Sequence, residues 1–312
     1  MRKGTLIRIT DDSGNCGYAD LHQWPLDMSN KPAQISLENA QQDLEWRRQK
    51  KSAWERFSNI RVINNYLFTD ITQFDRDSLK EKIKSLGDLG FRTFKVKVGR
   101  NPVAEISLLK EILGFAKGIQ WRLDFNSLLK PLQVHEYLDR LNPQDLTRIE
   151  YVEDPCAFDL PSWSKLNKRI PLALDQAWSG PLWPWDENWD SSNDNSFQQL
   201  SFRHLIVKPA IQDLQRAWRW SCEKNLKVTV TSFMDHPLGI ASTLQKVLEL
   251  KKDAHPREGD RLSVCGLRTS FLFEPNAFSK LIEGSEPELL FPPGLGLGFD
   301  SQLKELSWLE SI

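Results

Sequence analysis

The 312-residue chain lacks most of the features that would give its function away at once. Its four cysteines, Cys16, Cys156, Cys222 and Cys265, stand far apart with no C-x-x-C pair, which argues against a zinc cluster or a disulfide scaffold and fits reduced thiols. No apolar run approaches the roughly 20 residues of a membrane span, and the opening MRKGTLIRIT lacks a signal-peptide core, so the expectation is a cytosolic protein without a membrane. Charge of one sign is not in excess: 41 Lys+Arg face 42 Asp+Glu, and no basic arm offers itself to nucleic acid. The Gly-rich G-x-G-x-x-G fingerprint of dinucleotide folds is also missing. Any metal must therefore be held by oxygen ligands.

What is present is a long alternation. The start reads as a hairpin, LIRIT and NCGYADL around the turn Asp11-Asp12-Ser13-Gly14. A helix is expected over about 36–57 with Ser36 as its N-cap. From Asn65 onward, short apolar runs recur between longer amphipathic stretches: NYLFT, FKVKV, WRLDF, IEYVE, PLALD, HLIVK, KVTVT and RLSVC, spaced by roughly one strand-helix unit each. Eight such units over 65–265 predict an α/β fold, a (β/α)8-type barrel, with a doubly wound open sheet as the alternative. Residues 1–64 and 284–312 would form an α+β cap, and 65–283 the barrel. The twelve Trp include a cluster at 178–189, read as packing under a long loop in preference to an aromatic cage, and Gly294, Gly296 and Gly298 read as a turn back onto the N-terminal part.

The ionisable residues fall where they matter. Alternation along a strand puts Lys95 and Lys97 on one face, and the next four runs end in Asp124, Glu153, Asp175 and Lys208. Active sites of such barrels lie at the C-terminal strand ends, so one mouth would receive Lys, Asp, Glu, Asp and Lys. Three converging carboxylates repel unless a cation sits among them, and hard oxygen ligands suit Mg2+. A lysine crowded by a second ammonium and a divalent ion should have a lowered pKa and serve as a base near neutral pH. The chemistry implied is removal of a proton next to a carboxylate in a small-molecule substrate, followed by elimination, racemisation or cycloisomerisation.

The series FKVKVG, LDFN, VEDP, LALD and LIVKP resembles the enolase superfamily, a handful of Mg2+-dependent carboxylate chemistries on one fold, and in particular its muconate-lactonizing branch. Within that branch GYADLHQWP, VTVTSFMDHPLG, CGLRTSFLFEPN and GLGLGFD are similar to the o-succinylbenzoate synthase family of menaquinone biosynthesis, which dehydrates a cyclohexadiene carboxylate. The resemblance implies Lys97 as the base, Lys208 as a cation facing the ring, Lys95 beside Lys97, and Asp124, Glu153 and Asp175 around Mg2+ with Asn126 behind them. It also implies Thr231, Ser232 and Gly266 along the succinyl tail. The chain departs from that family at Gln176-Ala177, where an acidic residue is usual, and in the loop Ser232-Phe233-Met234-Asp235. N-acylamino acid racemisation or dipeptide epimerisation in the same branch, and a barrel without catalysis, are the competing readings. His236 reads as structural in preference to substrate-binding, and the loop at 21–32 as a lid. Oligomeric state is not legible.

Overall fold

A computed structural model describes residues 4–21, 31–115, 118–176, 200–254 and 260–309. The Trp cluster, the polar stretch through residue 199 and nearly all of the expected lid lie outside the described residues.

The hairpin forms as expected. Strands β1 (Thr5–Thr10) and β2 (Cys16–Leu21) pair antiparallel, and the Asp11 carboxylate accepts the backbone N–H groups of Ser13 and Asn15 while Gly14 takes φ 80°. Helix α1 (Lys31–Arg48) lies on it. The expected helix is corrected at both ends: it begins before Ser36 and stops at Arg48, and Glu55–Phe57 is a separate 3-10 turn. Pro32 is what sets the start, since proline is tolerated only in a helix's first turn. Ser36 is buried one turn further in, its hydroxyl donating to the carbonyls of Pro32 and Asp20 at 2.8 and 2.9 Å. Gly17 of β2 lets the two elements touch, because a Cβ there would meet the Ala40 carbonyl at 2.2 Å.

The remaining strands, β3 (Tyr66–Phe68), β4 (Thr93–Lys97), β5 (Gln120–Asp124), β6 (Ile149–Glu153), β7 (Leu172–Leu174), β8 (His204–Val207) and β9 (Lys227–Val230), form one parallel sheet in sequence order. Helices α2 (Arg76–Asp88), α3 (Pro102–Phe115), α4 (Pro131–Asp139), α5 (Pro143–Leu146), α6 (Leu160–Asn167), α7 (Leu214–Glu223) and α8 (Pro237–Asp253) connect or follow them. The eighth run, RLSVC, is not a regular strand. It nevertheless bridges both edges of the sheet, through Leu262 and Gly266 to Val228 and Thr231 of the β9 side, and through Cys265 to Asn64 before β3. Between the two bridges the five residues 262–266 oppose the four residues 228–231, and that extra residue, a bulge, is why no continuous ladder forms. Gly266 is required at the seam: a Cβ would stand 2.9 Å from the Thr231 hydroxyl.

The main core lies between strands and helices, with Phe94, Val96, Trp121, Leu123, Val152 and Leu205 among its buried side chains. Their neighbours in sequence turn the other way, into the barrel. There Tyr151, Ala173 and Ile206 make a small apolar plug, with charged layers above and below. Below it Arg122, fully buried, donates to Glu150 at 2.8 Å, to Asn65 at 3.1 Å and to the Val264 carbonyl at 2.7 Å, tying β5 and β6 to the closing seam.

The C-terminal glycines turn back as the sequence suggests. Gly296 exchanges backbone hydrogen bonds with Lys51 and Ala53, and Arg47 of α1 reaches the Gly298 carbonyl and the Asp300 carboxylate, at 2.9 and 2.7 Å.

Candidate active site

The register decides which side chains meet. Lys97 pairs with Asp124, and Asp124 with Glu153, so the last residues of three neighbouring strands stand side by side. Asp175 and Lys208 are the first residues beyond β7 and β8. The structure thus brings all five strand-end residues to one mouth, with Lys95 two residues below Lys97.

Lys95 is the most tightly held of the three lysines. Its Nζ lies 2.6 Å from Glu153 and 2.9 Å from Asp124. Burial works to lower its pKa, but the two carboxylates outweigh that and hold it well above the ordinary lysine value. Lys208 is bound in the same way, with Nζ at 2.6 Å from both oxygens of Asp175, and is likewise raised in spite of its burial. For both of these lysines the nearest charges are carboxylates. Lys97 differs. It donates to the Asn126 amide oxygen at 2.9 Å, its nearest carboxylate oxygen among the described residues, on Asp124, is 3.8 Å away, and its side chain is 29% exposed, the most of the three. Of the three ammonium groups it is the one with a hand free for a substrate.

Asn126 joins the two halves of this pair. Its amide nitrogen and its backbone N–H both go to Asp124 Oδ1, at 2.7 and 3.0 Å, while its oxygen takes Lys97. Asn126 and Ser127 both sit at positive φ, a left-handed turn just past β5 that asparagine tolerates better than most residues. Burial alone would raise Asp124, but Lys95 and Lys97 hold its carboxyl below the usual range. Glu153 goes the other way. Its burial, with Asp124 and Asp175 nearby, pushes it up to about 8 despite Lys95, and its second oxygen is buried without a hydrogen-bond partner among the described residues.

Sequence reasoning missed Asp154. It sits at φ 40° and clamps the end of β7, accepting the backbone N–H groups of Asp175 and Gln176 at 3.0 and 2.9 Å. Burial and then the charge of Asp175 push it up to about 7. The residue after Asp175 is Gln176, and the carboxylate bound to its backbone N–H is that of Asp154 at the end of the neighbouring strand. The signal was there in the VEDP run, an aspartate before proline at a strand end, where Asx turns form.

The seam residues are close by but occupied. Thr231 donates its hydroxyl to the Gly266 carbonyl at 2.9 Å, and the Ser232 hydroxyl is bonded to that of Thr269 at 2.6 Å. Phe233 follows, its ring 5.8 Å from Lys208 Nζ. His236 has the structural role: it caps α8, Nδ1 accepting from the Leu238 N–H at 3.2 Å.

Among the described residues no group of three His, Cys, Asp or Glu side chains is gathered to hold an ion as it stands, since Lys95 lies between Asp124 and Glu153 and Lys208 lies on Asp175. The donor set nevertheless fits a hard divalent cation. Three buried carboxylates raise one another's cost of ionisation, and one of their oxygens has no partner.

Three comparisons bear on this arrangement. Residues 78–185 match the family described as enolase C-terminal domain-like. An o-succinylbenzoate synthase of Bdellovibrio bacteriovorus is 32% identical over 99% of this chain and 91% of its own, and an L-Ala-D/L-Glu epimerase of Clostridium acetobutylicum is 29% identical over 49% of this chain and 44% of its own. A muconate lactonizing enzyme of Mycobacterium smegmatis has the same fold at a TM-score of 0.72, with 17% identity, 96% of this chain and 93% of the other being covered.

Proposed function

The chain belongs to the enolase superfamily, in its muconate-lactonizing branch, and from that premise we propose that it is a lyase that dehydrates 2-succinyl-6-hydroxy-2,4-cyclohexadiene-1-carboxylate to o-succinylbenzoate, a step of menaquinone biosynthesis. The observation that carries this reading is the end-to-end likeness to a relative of that name, over 99% of the chain. The lysine geometry supports the chemistry.

Lys97 removes the proton on the carbon bearing the carboxylate. Of the three mouth lysines it is the one without a close ion pair among the described residues, and Asn126 holds it at 2.9 Å. As the C–H electrons move into the ring, the C–O bond at the adjacent carbon breaks, and Lys97 returns the proton to the departing hydroxyl on the same face. Water and an aromatic ring result, and the base is restored. Lys208, between Asp175 and the Phe233 ring, is the cation that faces the flattening ring. Lys95 neutralises Asp124 and Glu153 and fixes the charge beside the base. Asp124, Glu153 and Asp175 would hold Mg2+, which when bound stabilises negative charge on the substrate carboxylate. Thr231, Ser232 and Gly266 line the side taken by the succinyl tail, contributing shape, since Thr231 has spent its donor on Gly266. Residues 1–64 with 284–312 act as a cap, a reading supported by the Arg47–Asp300 pair.

Loss of diene absorbance on mixing the purified protein with the cyclohexadiene carboxylate and Mg2+, abolished by EDTA, tests the reading. The epimerase relative favours a second one, in which Lys97 and Lys208 work on opposite faces of an α-carbon. No diene loss, together with solvent deuterium entering an N-acylamino acid or a dipeptide, would replace the first reading by the second.

A further inference from the structure

The opposite end of the barrel carries a cavity of about 630 Å³ lined by Glu150, Pro171, Arg203, His204, Asn225, Lys227, Asp260 and Arg261. His204 and Lys227 open β8 and β9, whose far ends lead into Lys208 and Thr231. Four residues at about 3.3 Å each put it about 13 Å from the lysine-carboxylate mouth. It is a separate site.

Among the described residues its charges do not balance. Glu150 is already engaged by Arg122 at 2.8 Å. That leaves Arg203, Lys227 and Arg261 against Asp260 alone, and none of the three cations forms an ion pair among the described residues, although elsewhere in the molecule Lys80, Arg47 and Arg169 each find a carboxylate within 3 Å. Arg261 uses one guanidinium nitrogen on the Asn225 amide oxygen at 2.8 Å, while its Nε is buried with no hydrogen-bond partner among the described residues. His204 is 4% exposed, and its Nδ1 is likewise buried with no partner among the described residues. Buried polar nitrogens are as a rule hydrogen-bonded, and here two belong to residues that line one cavity.

We propose that this cavity binds a small multivalent oxyanion, of the chemical class of phosphate or a dicarboxylate. Arg261 supplies the guanidinium N–H groups not taken by Asn225, and Arg203 and Lys227 supply charge from the exposed rim.

Isothermal titration of the full-length protein with inorganic phosphate, and separately with succinate, tests this at low ionic strength. The R203Q/K227Q variant changes two exposed side chains and leaves the barrel interior intact. The K208A variant removes a cation of the opposite mouth. Binding that weakens about tenfold or more in R203Q/K227Q and persists in K208A is the expected result, and the stronger of the two anions identifies the class. Heat signals that vanish in K208A and persist in R203Q/K227Q would assign the anion to the other mouth and overturn the proposal. Absence of binding by either anion beyond that of chloride at equal ionic strength would overturn it too.

Discussion

Lys95 stands between Asp124 and Glu153, 2.9 Å from one and 2.6 Å from the other, with all three side chains inside the barrel. Its backbone is two residues below the strand end, so its ammonium reaches up into the row of carboxylates above it. This makes Lys95 an electrostatic keystone of the mouth. Substituting Lys95 by Met leaves two buried carboxylates without their nearest cation, a loss that in buried pairs costs on the order of 3–5 kcal/mol. Thermal unfolding in EDTA should show a large drop in Tm, and Mg2+ should return more of it in the variant than in the parent. An unchanged Tm in EDTA would remove Lys95 from that role.

Arg122 should behave similarly at the other charged layer. Its guanidinium holds Glu150, Asn65 and the Val264 carbonyl together, so Arg122→Met is expected to destabilise by roughly 3–5 kcal/mol in denaturant unfolding. Because the Asn65 and Val264 contacts cross the seam, hydrogen exchange should rise first at Cys265 and Asn65. Uniform exchange across the barrel would contradict that closure role.

Gly17→Ala tests the contact between hairpin and helix. The added methyl would fall 2.2 Å from the Ala40 carbonyl and 2.6 Å from Leu44, and overpacking of this kind costs about 1–3 kcal/mol or more. A variant with parental stability would mean that β2 and α1 are not in the close contact described.

His204 makes a contribution to stability whose dependence on pH has a definite sign. Burial lowers it to about 4, from an ordinary value near 6.5. Between those values the unfolded chain binds a proton that the folded chain does not, so stability rises with pH through that window and is lost on acidification. The ceiling is about 3 kcal/mol for this group, at about 1.4 kcal/mol per pH unit. Urea unfolding across pH 4 to 7 should show a shallower slope for H204Q than for the parent. Equal slopes would show that His204 does not stay neutral when folded.

The barrel was legible because its strands alternate. In FKVKV the apolar residues face helices and the lysines face the interior, so one pentapeptide announces both the fold and the site. The eighth unit was legible as an apolar run but not as a bulged seam, since an extra residue on one strand leaves no mark in composition. Ser36 misled as an N-cap because serine is equally able to turn its hydroxyl back onto a carbonyl within a helix, which is what it does. The positions of the charged side chains could be read from the strand period. Their ionisation could not, because whether a lysine's pKa rises or falls depends on which neighbour is 3 Å away, and Lys95 and Lys208 found carboxylates. Asp154 went unread because its work is done on backbone N–H groups of another strand.

Turnover of the cyclohexadiene carboxylate by Lys97→Ala, followed by diene absorbance beside the parent protein with Mg2+ present, bears most directly on the assignment of the base. The expected result is a fall in rate of about 10²–10⁴-fold, the scale of a lost general base, with product affinity changed far less. A Lys97→Ala protein that turned over within about fivefold of the parent would contradict it.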